Sequence, residues 1–297
     1  MKSGYLLIDK EQGMTSFAVV SALRKILHTK KIGHTGTLDP MATGLLLICV
    51  EKGTKAVSVM PESTKTYEAE MLLGVSTDTE DITGEIIEEK AVNVTEDEII
   101  KLFPRFIGEM DQIPPMYSAK KVNGQKLYDL ARKGEVIERK PSHITIHDIE
   151  ILEINLPKVR FSVKCSKGTY IRTLCKDIGE ALGTLATMTS LRRTDTEGFT
   201  VNDAYTLDQL REMNDEEIAE KIMDMDSIFK VYNRIDMTEE SDQYLRNGNA
   251  IYEDEIRGEI DDSDIYRVYY SNGRFGALYK KNGKELKVYK MFSNEDN

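Results

Sequence analysis

This sequence lacks long apolar runs, paired cysteines and the cysteine spacing of a metal site. Its 297 residues contain no run of about 18 or more apolar residues, so we expect no membrane-spanning segment. The first residues, MKSGYLLIDKEQG, carry acidic side chains where a signal peptide would be apolar, so we expect a cytoplasmic protein. Three cysteines, Cys49, Cys165 and Cys175, form no CxxC pair, which argues against a disulfide scaffold and against a structural zinc site.

Acidic residues outnumber basic ones, but the excess is confined to one segment. The formal net charge is −11. Residues 1–200 contain 27 Lys and Arg against 28 Asp and Glu, whereas residues 201–264 contain 6 against 20. Within residues 115–193, 15 basic residues stand against 8 acidic ones. Because nucleic-acid binding depends on a local basic face rather than on overall charge, RNA or DNA stays open as a partner.

Strands and helices alternate irregularly along the chain, without a repeating βαβ unit. This order favours an α+β fold built on a large mixed sheet. Apolar spacing predicts strands over 5–9, 45–50 and 65–75, two strand runs across 143–166, and helices over 17–27, 95–103, 169–182 and, as an acidic pair, within 206–229. The helix at 95–103 begins with a capping box, because Glu98 follows Thr95 by three residues.

The last part of the chain has the pattern of a small β module. Asn272–Gly273 and Asn282–Gly283 each separate β-rich runs, and each pair is a two-residue hairpin signal. We place a boundary near residue 230. The sequence therefore predicts a large domain over 1–230 and a small all-β barrel over 231–297.

The most unusual stretch is the glycine- and threonine-rich segment 33–44, GHTGTLDPMATG. Three glycines, three threonines and a proline in this segment predict a structured loop. Asp39 precedes Pro40, so its backbone is kept from helical geometry and its carboxylate projects from a rigid turn. From the residue types alone, an Asx turn joining a helix to a strand is the simpler interpretation.

This loop is one of several motifs that occur in a known order. GHTGTLDPMATGLL closely resembles the catalytic motif of the TruB-type tRNA pseudouridine synthases, in which the aspartate before proline is essential. Other segments resemble further motifs of that family in the same order, and they are KTYEAEMLLG (65–74), GVSTDTEDITGE (74–85), PPMYSAKKVNGQKLYDLARKG (114–134), CSKGTYIRTLCKDIGEALG (165–183) and SLRR (190–193). The resemblance covers roughly residues 5–200. The C-terminal module is similar mainly in position to the family's PUA-like RNA-binding barrel.

The resemblance implies an activity and a substrate. It implies that a pseudouridine-synthase-like domain isomerises uridine to pseudouridine, with uridine-55 in the T loop of tRNA as the target. It implies one catalytic aspartate, no cofactor and no metal ion. We expect tRNA as the partner, no obligatory partner protein, and a monomer, which suits a protein that must surround a folded RNA.

The same resemblance assigns roles to individual residues. It implies that Asp39 is the catalytic aspartate and that Arg172 pairs with it. It implies that Tyr67 stacks on the target base and takes part in proton transfer, and that Tyr170 and Leu191 line the uracil pocket. A sixth residue is His34, which the resemblance places against the RNA where the target nucleotide leaves the stack.

One carboxylate suffices for this chemistry. The reaction breaks the N-glycosidic bond, turns the uracil and joins C5 to the sugar, so the carboxylate can act as a nucleophile or as a base for the 2′ proton. A neighbouring arginine keeps a carboxylate ionised in an aromatic-lined pocket, which is a physical reason for an Asp39–Arg172 pair. Basic residues around Tyr117 and Tyr128 could follow the RNA backbone, and they are Lys120, Lys121, Lys126, Arg132, Lys133, Arg139 and Lys140.

Three other functions stay open. A non-catalytic RNA-binding or tRNA-folding protein could use the same scaffold, although it would not need the aspartate, tyrosine and arginine motifs. A glycoside hydrolase needs two paired carboxylates, whereas only Asp39 has a strong contextual signal here. Catalysis within a guide-RNA particle, as in the dyskerin relatives, is disfavoured because the chain has no basic low-complexity tails.

Overall fold

The computed structural model describes residues 2–61, 64–118, 120–122, 124–131, 133–135, 137–196 and 198–292. Its strands are β1 (Gly4–Lys10), β2 (Ile32–Thr35), β3 (Thr43–Val50), β4 (Thr64–Leu73), β5 (Val75–Thr77), β6 (Ile86–Glu89), β7 (Gly108–Gln112), β8 (Lys121–Val122), β9 (Gln125–Lys126), β10 (Ser142–Asn155), β11 (Lys158–Ser166), β12 (Ala186–Thr196), β13 (Phe199–Thr200), β14 (Asn233–Met237), β15 (Ile256–Arg257), β16 (Ile265–Tyr269), β17 (Phe275–Asn282) and β18 (Glu285–Met291). Its α-helices are α1 (Ser16–Ile26), α2 (Glu96–Leu102), α3 (Leu127–Ala131), α4 (Ile171–Ala181), α5 (Leu207–Glu212), α6 (Asp215–Lys221) and α7 (Asp242–Asn247). Among these described residues, no helix is long and apolar enough to cross a membrane.

A large sheet forms the centre of the molecule. Its strands follow the order β1-β3-β12-β4-β11-β10-β7, with β2 paired to β3 and β13 to β12. All of these pairs are antiparallel except β3 and β12, which run parallel where Thr43 lies beside Arg192 and Gly44 beside Arg193. The α+β fold with a mixed sheet is therefore confirmed.

The apolar run of β3 is continuous because both of its faces are covered. Leu46 and Ile48 pack with α1, α5 and α6. Leu45 and Leu47 point the other way, into a cluster that includes Phe275 and other aromatic residues of the C-terminal module. A strand buried on both faces reads as an unbroken apolar run rather than as an alternation.

Strand β4 alternates strictly between the two faces of the sheet. Its side chains at odd positions are buried and those at even positions are half-buried. The buried row packs under α2 and α4 and includes Tyr67, Ala69 and Met71. This period of two fixes which face of the sheet Tyr67 occupies.

The C-terminal module is a small sheet with the order β15-β14-β16-β17-β18. A bridge between Ile251 and Leu286 connects the segment before β15 to β18, so the two edges of this sheet approach each other. The second hairpin pairs Asn282 with Glu285 and has a two-residue loop, whereas the first has the five-residue loop 270–274. Helix α7, which the sequence did not predict, ends at Gly248 in the left-handed conformation.

Besides this first hairpin and α7, two predicted segments of the large domain differ from the structure. The predicted loop 33–44 begins later, because Ile32–Thr35 forms strand β2 on the edge of β3. The second acidic helix was predicted to run to residue 229 but ends at Lys221. It ends there because the backbone of Met223 pairs with Tyr5 at the edge of β1, with N···O distances of 3.1 and 2.8 Å.

Candidate active site

A cavity of about 300 Å³ opens where the loop 36–42, strand β4, strand β12 and the start of α4 meet. This volume is at the lower end of the range for small-molecule pockets. Five of the six residues singled out from the sequence line it, and they are Asp39, Tyr67, Tyr170, Arg172 and Leu191. Residues far apart in the chain are therefore gathered at one cavity.

The loop that carries Asp39 is held by backbone and side-chain contacts. The Ser16 hydroxyl accepts from the Leu38 amide at 2.9 Å and donates to the Leu38 carbonyl at 3.1 Å. The Gly13 amide donates to the Pro40 carbonyl at 2.7 Å. Leu38 is buried in the core under α4, so the loop is also pinned by packing. The carboxylate of Asp39 remains 41% exposed and faces the cavity.

Lys10, a residue that the sequence did not single out, lies beneath this loop. It is 1% exposed. Its ammonium donates to the carbonyls of Glu11 at 2.9 Å, Met14 at 2.8 Å and Pro40 at 3.4 Å. Burial lowers the pKa of Lys10 to about 8, although the nearby Asp39 carboxylate raises it. The lysine thus links the end of β1 to the Asp39–Pro40 turn.

Arg172 is a buried guanidinium that holds the cavity together. Its Nη2 lies 3.0 Å from Asp39 Oδ2, and its Nη1 lies 3.4 Å from Asp81 Oδ2. It also donates to the Thr79 carbonyl at 2.9 Å and to the Tyr117 carbonyl at 2.8 Å. Four acceptors from three segments therefore fix one side chain, and this explains why Arg172 is buried rather than on a helix surface.

Asp81 is the second carboxylate of this network, and the sequence did not identify it as such. Its side chain is 6% exposed, like that of Arg172. Its Oδ1 accepts from the Thr83 amide at 3.0 Å and from the Thr79 hydroxyl at 3.0 Å. Its actual contacts show a carboxylate that orients an arginine.

Tyr67 lies opposite Arg193 across the β4–β12 pair. The Tyr67 side chain is buried, and burial raises the pKa of its hydroxyl, whereas the charge and hydrogen bond of Arg193 lower it. Leu191, two residues before Arg193, is partly buried and packs against the core from the same strand. The tyrosine and the leucine thus contribute ring and aliphatic surface to the cavity wall.

Tyr170 caps the start of α4, and its backbone is fixed by a glutamine. The Gln112 side chain accepts from the Tyr170 amide at 2.8 Å and donates to the Tyr170 carbonyl at 3.1 Å. Gln112 is itself buried. This contact sets the position at which α4 presents Arg172, two residues later.

His34 is the expected site residue that does not line the cavity. It lies on β2, paired with Ile48 of β3, two residues before the loop that carries Asp39. Its Nδ1 is buried without a hydrogen-bond partner among the described residues. Burial lowers the pKa of His34, and the charge of Arg193 lowers it further.

The predicted basic run lies next to the cavity through Tyr117 and Ser118. Lys133 and Lys140 are exposed, whereas Lys120 donates to the Ser142 hydroxyl and Arg139 donates to the Pro114 carbonyl. Arg132, together with the side chains of Lys121 and Lys126, lies outside the described residues.

Comparison with known proteins identifies the class of enzyme to which this cavity belongs. Residues 24–171 match the family model described as "TruB family pseudouridylate synthase (N terminal domain)", and residues 172–230 match "tRNA pseudouridylate synthase B C-terminal domain". A tRNA pseudouridine synthase B of Clostridium tetani (strain Massachusetts / E88) is 43% identical over 290 residues, which are 97% of this chain and 99% of that protein. One of Bacillus pumilus (strain SAFR-032) is 42% identical over 95% of this chain and 94% of that protein.

A solved structure supports the same assignment. The crystal structure of a Cbf5-Nop10-Gar1 complex contains a chain that superposes with a TM-score of 0.74 at 27% identity, over 98% of this chain and 85% of that chain. Fold and site thus define a pseudouridine synthase, an isomerase that converts uridine to pseudouridine. Within that class, the chain belongs to the TruB family of pseudouridylate synthases.

Proposed function

We propose that this enzyme acts on tRNA and isomerises uridine-55 of the T loop in the cavity beside Asp39. The observation that carries the proposal is the Asp39–Arg172 pair at 3.0 Å, in which the arginine is buried and the carboxylate faces the cavity. A carboxylate fixed in a pocket of this size can attack the sugar or the base, or remove the 2′ proton. The names of the relatives support tRNA as the substrate.

The residues around Asp39 have complementary roles in this proposal. Arg172 orients the carboxylate of Asp39 through their 3.0 Å contact. Tyr67 stacks on the target base and exchanges protons with it, while Tyr170 and Leu191 enclose the uracil. The base has to be extruded from the stacked loop, which costs about a few kcal/mol. His34, on the strand next to the loop, is suited to contact the RNA at the place that the base leaves, because imidazole stacks on bases.

The proposal divides the chain into a catalytic part, 1–230, and an RNA-binding PUA-like part, 231–297. Their separate sheets support the division. We propose that the enzyme works in the cytoplasm as a monomer without an obligatory partner protein, and its match to a tRNA pseudouridine synthase B over 99% of that protein supports a stand-alone enzyme. Size-exclusion chromatography of the purified chain, alone and with tRNA, tests the monomer.

The first test of the function uses purified protein and an unmodified tRNA transcript without added metal or nucleotide. We expect pseudouridine at a single T-loop position, mapped by carbodiimide labelling and primer extension. Asp39→Asn should abolish the product while it leaves folding and tRNA binding intact, whereas Asp208→Asn, the same change at an exposed aspartate, should remain active. Turnover by Asp39→Asn would contradict the role of Asp39. Tight tRNA binding by the wild type without product would favour a non-catalytic RNA-binding protein instead.

A further inference from the structure

Arg193 is the largest fully buried side chain of the cavity wall, and the mechanism above gives it no role. It is 1% exposed. Its Nε donates to the Leu45 carbonyl at 2.6 Å and its Nη2 donates to the Gly36 carbonyl at 3.1 Å. These two contacts connect the guanidinium to β3 and to the loop 36–42, which carries Asp39. Its planar group is therefore held in one orientation.

The fixed guanidinium also donates a hydrogen bond to the Tyr67 hydroxyl. The backbone register brings the two side chains together, because Arg193 and Tyr67 are direct partners in the β4–β12 ladder. Both line the cavity that contains Asp39. The Tyr67 hydroxyl thus has Arg193 as its neighbour, and both side chains border the space available to a base.

The charge of Arg193 is not balanced by an ion pair in the part of the chain that the structure describes. Its described acceptors are two carbonyls and the Tyr67 hydroxyl, all of them neutral. A buried cation with neutral acceptors favours negative charge on the nearest group that can take it. At this place that group is the oxygen of Tyr67.

We propose that Arg193 is a positioning residue for proton transfer, holding the Tyr67 oxygen as the acceptor of the proton that leaves C5 of the uracil. The inference rests on the proposed function. When the bond from C1′ to N1 breaks, its electron pair stays on the ring nitrogen, which takes the Tyr67 proton. After the C5–C1′ bond has formed, the phenolate takes the C5 proton. One proton enters the ring and one leaves it, so no co-reactant is needed.

Arg193 differs from the other charged and titratable groups around Tyr67 in its effect on the Tyr67 hydroxyl. Burial raises the pKa of Tyr67, and the charges of Cys165 and Asp39 act in the same direction, whereas Arg193 lowers it through both its charge and its hydrogen bond. The cavity wall also contains three further basic residues, which are Lys65, Lys167 and Arg172. Among these groups, Arg193 is the one whose hydrogen bond to the Tyr67 hydroxyl favours the phenolate.

The test compares Arg193→Lys and Arg193→Met with the wild type in single-turnover reactions. The substrate is tRNA in which the target uridine carries hydrogen or deuterium at C5. We expect the rate to fall about 10²-fold, the scale of a general base, and the deuterium isotope effect to exceed that of the wild type because C5 deprotonation becomes slow. The matched control is Arg192→Lys, whose guanidinium instead pairs with Asp9 at 2.7 Å. It should leave the isotope effect unchanged.

Two results would overturn the inference, namely an unchanged rate in both Arg193 variants, or a lower rate with an isotope effect no larger than in the wild type. A merely structural role would give the second result. The inference and the proposed function fail separately, because a wild type that forms no pseudouridine rejects the function before any variant is compared. A wild type that forms it, with variants that fail as described, rejects only the role of Arg193.

A second measurement does not depend on the Arg193 variants being folded. 3,5-Difluorotyrosine, introduced at position 67 of the wild type, makes the phenol more acidic at nearly the same size. The falling limb of the pH–rate profile, on which Tyr67 loses the proton that it gives to N1, should move to lower pH. In the Arg193→Lys enzyme, the same replacement should raise the rate at least about tenfold and so recover part of the activity that the substitution removed. An unmoved profile in the wild-type background would refute a phenolate at this step.

Discussion

Asp81 offers the sharpest test of how the cavity is held together. Asp81→Asn removes one negative charge and keeps the size of the side chain. In the wild type, Asp81 Oδ2 lies 3.4 Å from Arg172 Nη1, and both side chains are 6% exposed. The asparagine would direct either a neutral oxygen or an NH₂ group toward a buried guanidinium. The variant therefore weakens the arginine's support without opening a large void.

The expected cost follows from the burial of the pair. Removing one partner of a buried ion pair costs about 3–5 kcal/mol, because the other charge stays buried without compensation. Arg172 keeps Asp39 and two carbonyls as acceptors, so the lower end, about 3 kcal/mol, applies. At about 2 °C per kcal/mol for a chain of this size, the melting temperature should fall by about 6 °C.

The activity should fall as well. A displaced Arg172 no longer orients Asp39, the carboxylate that we propose as catalytic, and a shift of about 1 Å in a catalytic group can cost about 10²-fold in rate. Thermal unfolding by circular dichroism gives the stability, and single-turnover pseudouridine formation gives the rate. The control is Asp208→Asn, because Asp208 is 72% exposed and pairs with Arg211 on one helix. An exposed pair of this kind contributes about 0–1 kcal/mol. If Asp81→Asn lost no more than this control and remained fully active, the argument from burial would be refuted.

Two further predictions concern the support of the loop 36–42, which carries Asp39. Burial lowers the pKa of Lys10 from 10.5 to about 8, so between these pH values the unfolded chain binds more protons than the folded one and stability rises with pH. Wild type measured against Lys10→Met by urea unfolding should therefore gain about 3 kcal/mol between pH 8 and pH 10.5, and a constant difference would contradict this. Gly44 has φ +97°, and a Cβ there would lie 2.3 Å from the Arg193 carbonyl oxygen, so Gly44→Ala should cost at least about 3 kcal/mol in thermal unfolding. Gly183→Ala, at φ +72° with open space around it, should cost only about 1–2 kcal/mol, and equal losses would argue against the steric reason.

The elements that local sequence determines were predicted well. The capping box at Thr95 and Glu98 forms as expected at the start of α2. The alternation in β4 and the uninterrupted apolar run in β3 each match their strands. Strand β2 was missed because its four residues lie in a segment rich in glycine and threonine, where composition indicates a loop. It forms a strand because the edge of β3 offers backbone partners, a tertiary contact that local composition does not show.

The residues of the site also divide into those that local sequence identifies and those that depend on tertiary contacts. Asp39 and Tyr67 could be selected by resemblance, since their motifs are contiguous in the chain. Asp81, Lys10 and Arg193 could not be selected by their types, because an isolated charged residue is most often exposed. Their roles depend on burial and on partners such as the Pro40 and Leu45 carbonyls, which only the folded chain brings close. One local signal was available, since Arg193 lies in the SLRR segment two residues after Leu191, which was chosen for the site.

The distribution of charge explains how an acidic protein can serve a nucleic-acid substrate. The chain has a net charge of −11, yet the cavity wall combines Lys65, Lys167, Arg172 and Arg193 with one carboxylate, that of Asp39. Within roughly a Debye length, about 8–10 Å, these local charges determine the potential that a phosphate group meets, and distant acidic residues are screened. One of these cations, Arg172, also contacts the single carboxylate, with its Nη2 3.0 Å from Asp39 Oδ2. In the proposed function, attraction of the RNA backbone and orientation of Asp39 depend on the same basic residues of the cavity wall, so removing any one of them should affect both binding and rate.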